Sequence, residues 1–161
     1  MIQFEEMREI VSKGLREYLG IQIIRSNQTA DAPAYPYGTY NATTIAGKNN
    51  GTWQQHEDGI DRLLVRSIWS FSFLSADYDE SVALAIRALE WFQRTGRAWL
   101  SEHGITVQST TDINNRDNIL TVKYERKNGF DVVFYVYNEV KNLTDTTGTI
   151  EGVDIAHEIT N

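Results

Sequence analysis

The chain reads as an α+β fold, a two-layer sandwich whose mostly antiparallel sheet carries two main helices on one face. Three observations predict it. Apolar residues recur at helical spacing over residues 4–18 and again over 77–92. Over residues 62–73, Leu63, Val65, Trp69, Phe71 and Phe73 share one side while Arg62, Arg66, Ser70 and Ser72 share the other. Residues 124–136, YERKNGFDVVFYV, read as a β-hairpin whose second strand is apolar on both faces. The elements follow in the order α-β-β-β-α-β-β-β, which suits helices segregated to one face of an antiparallel sheet.

In chain order, Phe4, Met7, Ile10, Val11, Leu15 and Tyr18 form the first helical stripe, with Glu5, Glu6, Arg8, Glu9, Lys13 and Arg16 between them and Gly20 as the stop. Residues 21–25 are short and β-branched, a first strand. Both prolines lie in DAPAYPY, which imposes an extended or turning path and excludes a helix there. Residues 37–46 form a second strand of Tyr, Thr and Ile. Residues 47–61, GKNNGTWQQHEDGID, hold three glycines and one exposed-looking Trp53, a mobile loop.

After the aromatic third strand, Asp77 is placed as an N-cap with Glu80 three residues on. Val82, Ala85, Ile86, Leu89 and Phe92 make one stripe of the second helix, and Leu84, Ala88 and Trp91 a second beside it. Gly96 marks a bend or a close contact, and His103 with Gly104 ends the helix. Residues 105–109 are a short strand and 114–118 a polar turn. After the hairpin comes a flexible tail from about residue 141, in which Ile150, Val153 and Ile155 suggest a last strand or a docking segment. With no internal repeat, the 161 residues are expected to form one domain, 1–161.

The hairpin carries the most argument. Asn128 and Gly129 both tolerate the positive φ of a tight two-residue turn. Counting outward from that turn, Leu120, Val122 and Tyr124 share a face with Val133, Tyr135 and Tyr137, closed by an ion pair of Arg126 with Asp131. The opposite face sets polar residues against Phe130, Val132, Phe134 and Val136. The first face is expected to pack under the helices. The second, with Phe130, Val132 and Phe134, is expected to be an assembly surface, since contiguous exposed apolar patches mark interaction sites.

Composition narrows the function. There is no cysteine, so no disulfide, thiol nucleophile or cysteine-based zinc site. No signal-like segment or membrane-length apolar run is visible, so cytoplasmic synthesis is expected, and the triplets beginning at Asn27, Asn41, Asn50 and Asn142 are read as chance rather than glycosylation sites. The formal charge of −7, with no basic block, disfavours a wrapped nucleic-acid partner.

No motif for chemistry stands out. His56, His103 and His157 lack a second ligand at metal-binding spacing, and His103 is better placed to complement a helix C-terminus. Asp58 and Asp61 are too few for a Ca²⁺ loop and are read as solvated carboxylates. GxSxG, P-loop and GxGxxG patterns are absent. Glu125 and Asp131 are assigned structural ion pairs. Trp53 stands alone in a polar loop, either a partner anchor or a side chain folded back on the sheet. No catalytic, cofactor-binding or metal residue is assigned.

The order of IIRSNQ at 23–28, the proline-bearing YPYGTY at 35–40, an aromatic strand, a long helix, a short strand and YERKNGFDV at 124–132 resembles the tail terminator or neck proteins of tailed phages and prophages. The resemblance runs from about Phe4 to Val140. It implies a non-enzymatic virion protein, assembled in the host cytoplasm, forming a hexameric ring that caps the tail tube and joins it to the head connector. DNA would pass through such a ring without being specifically bound, and no cofactor or membrane is implied. The alternatives are another tail component, such as a completion protein or the tube subunit, and a small α+β ligand-binding or hydrolytic domain with a pocket between helices and sheet.

Overall fold

The computed structural model describes residues 4–47, 51–117 and 125–141. The element order is α1 Phe4–Leu19, β1 Gln22–Arg25, β2 Tyr37–Gly47, β3 Ile60–Ser75, α2 Tyr78–Gln93, α3 Thr95–Glu102, β4 Thr106–Thr110, β5 Asn114–Asn115 and β6 Arg126–Lys141. The sheet runs β1-β2-β3-β6-β4, with β5 also pairing β6; β1 and β2 are parallel and the other pairs antiparallel. The α+β sandwich is therefore the fold observed.

Each helix forms where its apolar period meets the sheet. α1 buries Met7, Val11, Leu15 and Leu19, and Gly20 takes φ 71° to end it, its N–H bonding the Arg16 carbonyl at 2.9 Å. α2 buries Ser81, Leu84, Ala85, Ala88, Trp91 and Phe92, whereas Ile86 of the other anticipated stripe is 44 % exposed. Asp77 occupies the N-cap but makes no side-chain cap bond. Ser75 supplies the other half of the box by relay: its hydroxyl accepts from the Asp77 N–H and donates to the Glu80 carboxylate. The long second helix is broken at Arg94 into α2 and α3. Gly96 explains the tight corner, because a Cβ there would lie 2.2 Å from the Trp91 ring. His103 caps α3, its Nδ1 lying 2.8 Å from the Trp99 carbonyl oxygen.

The core lies between these helices and one face of the sheet. Trp69, Phe71, Phe73, Phe92, Phe130 and Phe134 are fully buried and touch ring to ring, with Phe71 and Phe92 centroids 4.9 Å apart. Register explains the cluster, since Phe71 faces Phe130, Trp69 faces Val132 and Ser67 faces Phe134.

Here the hairpin expectation fails. Asn128 and Gly129 are not a turn but interior residues of the 16-residue strand β6, facing Phe73 and Ser72 of β3. Asn128 is buried, and its Nδ2 donates to the Ser81 hydroxyl at 2.9 Å, which in turn donates to the Phe73 carbonyl at 2.9 Å. Gly129 is required by crowding rather than by φ: a Cβ there would lie 2.0 Å from the Phe71 carbonyl oxygen. Tyr124, with Leu120 and Val122, lies outside the described residues, as does the tail strand anticipated around Ile150, Val153 and Ile155.

With no turn at Asn128 and Gly129, the two faces are the reverse of those expected. Phe130, Val132 and Phe134 are completely buried beneath the helices, so in the folded chain they are core and not an assembly surface. Val133 and Tyr135 are half-buried, and Tyr137 is 52 % exposed, on the face without helices.

Candidate assembly surface

β3 and β6 are both 16 residues long, about 50 Å, and the helix layer covers only part of that ribbon. Their alternate residues therefore meet two different environments. On the helix-free face Leu64 stands opposite Tyr137, Arg66 opposite Tyr135, and Ile68 opposite Val133. These pairs form a contiguous stripe of aliphatic and aromatic side chains with one cation, the exposed Arg66, among them.

The other half of this face is occupied. Arg116, just after β5, donates to the Ser70 hydroxyl at 2.6 Å, the Phe71 carbonyl at 3.1 Å, the Ser72 hydroxyl at 3.2 Å and Asp131 at 3.0 Å. One guanidinium thus spans β3 and β6 and satisfies polar groups that β3 turns away from the core. The anticipated ion pair between Arg126 and Asp131 is replaced by two others: Asp131 with Arg116 at 3.0 Å, and Arg126 with Asp117 at 3.2 Å. Burial pushes Asp117 up. The Lys127 N–H, Arg126 and Asn115 outweigh it and hold the carboxyl below its ordinary range.

At the same end Tyr35 and Tyr37 stack with ring centroids 5.6 Å apart across the cis Tyr35–Pro36 bond, and both hydroxyls donate to Glu125, at 2.9 and 3.5 Å. Among the described residues Glu125 thus accepts from two phenols, while Lys123, one of the partners expected for it, lies outside the described residues. Partial burial, then the hydrogen bond and charge of Glu125, push the Tyr35 phenol up to about 12. A phenol whose folded pKa is raised contributes stability below its unfolded value of about 10, and that contribution is lost as pH climbs from there toward 12. Ultraviolet titration of phenolate is expected to show a late-ionising tyrosine that ionises earlier in Glu125→Gln while burial still holds it above the ordinary range; an unchanged titration would refute the link.

At the far end of the ribbon the loop folds back. Gln54 and Arg62 exchange two backbone hydrogen bonds, at 2.8 and 2.9 Å. Arg62 also pairs with Asp58 and Glu139, each at 2.8 Å, so Asp58 is an ion-pair partner rather than a freely solvated carboxylate. Trp53, one residue before this bridge, is 45 % exposed. Among the described residues no group of three His, Asp or Glu side chains is placed to hold a metal ion. No described helix is long and apolar enough to cross a membrane.

Sequence reasoning missed Arg116, which sits in a polar stretch without periodicity, and missed Leu64 and Ile68 as surface residues. The signal that finds the latter is the alternation of β3 continued on its second face, once β6 is run unbroken beside it.

No curated protein matches the chain. A family model described as phage neck terminator protein matches residues 9–161. It takes in every described element except the start of α1, and the antiparallel sheet with helices on one face agrees with the fold that the sequence resemblance implied. The chain thus belongs to the phage neck terminator family and has a structural role in the phage neck.

Proposed function

We propose that copies of this chain close into a ring, hexameric in the simplest case, that caps the head-proximal end of the tail tube and joins it to the head connector. The observation that carries this reading is the uncovered half of the sheet, where Leu64, Ile68, Val133, Tyr135 and Tyr137 form an apolar stripe that no described element of the chain lies against. A ring subunit has to present such a surface to its neighbour while keeping its own core closed. Trp53, exposed beside the same end of the ribbon, serves as an anchor for a neighbour or for a tube or connector subunit. The net charge of −7 suits a channel that DNA traverses without sticking.

Sedimentation velocity with negative-stain imaging, followed by addition of purified tail tubes, tests the proposal. Closed rings that bind one tube end are the expected result. A monomer that neither forms rings nor caps tubes would overturn it, and growth into long tubes would reassign the chain as a tube subunit.

A further inference from the structure

On the opposite edge of the sheet, between α1 and the turn that leaves β1, lies a cavity of about 520 Å³ lined by Arg8, Arg25, Ser26, Asn27, Gln28 and Asn41, among others. Its lining has no carboxylate. In a chain of net charge −7 that is an unusual concentration of donors. Packing builds it. Arg25 ends β1 opposite Tyr40, the Ser26 N–H bonds the Tyr40 carbonyl at 2.8 Å, and Asn27 turns the chain over with φ 62°. Arg8 enters from α1, and its ion-pair partner among the described residues is Glu5 at 3.6 Å, whose side chain is 82 % exposed. Among the described residues Arg25 has no carboxylate within ion-pair distance. Both guanidiniums lie close enough to Tyr40 for their charge to oppose the upward push that burial gives its phenol.

We propose that this recess is a carboxylate receptor, and that its ligand is the acidic segment 142–161 of a second copy of the chain. All 15 basic side chains stand at or before Lys141, while Asp145, Glu151, Asp154 and Glu158 follow it with no lysine or arginine between them. Charge complementarity therefore singles out this segment. Geometry favours a neighbour's recess over the chain's own. Register places Arg25 level with Phe130 across β2 and β3, and β6 then runs about 35 Å further before Lys141. Two guanidiniums with flanking amides and hydroxyls fit carboxylates, which they bind bidentately. A DNA backbone would need a longer track of cations than this recess supplies. The inference rests on the ring reading only for the presence of a second copy.

The cysteine-free chain allows a direct test. Full-length Ala30→Cys and Ile155→Cys chains carrying tags of different length are mixed, oxidised and resolved without reductant. The expected result is a mixed-tag disulfide dimer whose yield falls on the order of tenfold when Arg8→Glu and Arg25→Glu are added. The dimer should persist with Arg94→Glu and Arg97→Glu in the smaller recess beside β4. Absence of the mixed dimer, its indifference to Arg8 and Arg25, its loss with Arg94 and Arg97, or a cross-link confined to one chain in the double-cysteine variant would each overturn the proposal. So would displacement of the cross-link by a short DNA duplex. Rings without the cross-link sink only the receptor, whereas a charge-dependent interchain cross-link without closed rings sinks only the ring.

Discussion

Gly129→Ala is expected to cost about 3 kcal/mol or more of stability, enough to leave little folded protein. The added methyl would sit 2.0 Å from the Phe71 carbonyl oxygen and 2.9 Å from the Ser72 hydroxyl. The first of these is backbone in the middle of β3, which also pairs with β2 through Phe71 and Tyr40, so it has no room to retreat. Separating β3 from β6 would also pull Phe71 and Phe130 apart, the rings that carry α2. Urea unfolding followed by circular dichroism measures the effect. A variant within about 0.5 kcal/mol of the parent, the usual range for an inert surface change, would show that the strands are not crowded here. Asn128→Ala makes a useful companion. It leaves the Ser81 hydroxyl, which donates to Phe73, without its own donor, for an expected loss of about 1–3 kcal/mol.

The second large effect separates the two faces of one strand. Phe134→Lys is expected to prevent folding, because Phe134 is fully buried against Trp69 and Phe92 and an ammonium there would have no partner or water. Tyr135→Lys, one residue on, is expected to fold with a loss of about 1 kcal/mol or less and to lose self-association instead. Its side chain lies on the helix-free face beside Arg66, so a second cation there also repels. Helix content and sedimentation, read on the same samples, decide. Loss of fold in both variants, or of assembly in neither, would refute the division of faces.

That division is visible in the residues, but a turn placed at Asn128 and Gly129 inverts it. The helical stripes of α1 and α2 and the aromatic face of β3 follow from periodicity alone, and the structure places Val11, Leu15, Trp69, Phe71 and Phe92 in the core as that periodicity requires. The error lay in one dipeptide. Asn-Gly is the strongest short signal for a tight turn, yet Gly129 here avoids a collision and Asn128 donates a buried hydrogen bond. Both uses favour the same residue types as a turn does, so local chemistry does not distinguish them. Apolar matching does: a strand beside Trp69, Phe71 and Phe73 has to present Phe130, Val132 and Phe134 to the same helices. The Arg116 clamp and the recess of Arg8 and Arg25 were not legible at all. Each depends on residues far apart in the chain, such as Arg116 with Ser70 and Arg8 with Asn41, which only the sheet order brings together.

The alternation along β3 and β6 also dictates how such a chain can change over generations. Every second residue of the ribbon answers to the helices and every other one faces outward, so substitutions at Leu64, Ile68, Tyr135 and Tyr137 alter the outward face without touching the interior. A single inserted or deleted residue in either strand would exchange the two sets, pushing phenylalanines into solvent and tyrosines under the helices. Diversity among proteins that share this ribbon should therefore accumulate by replacement on one side and almost never by a change in strand length.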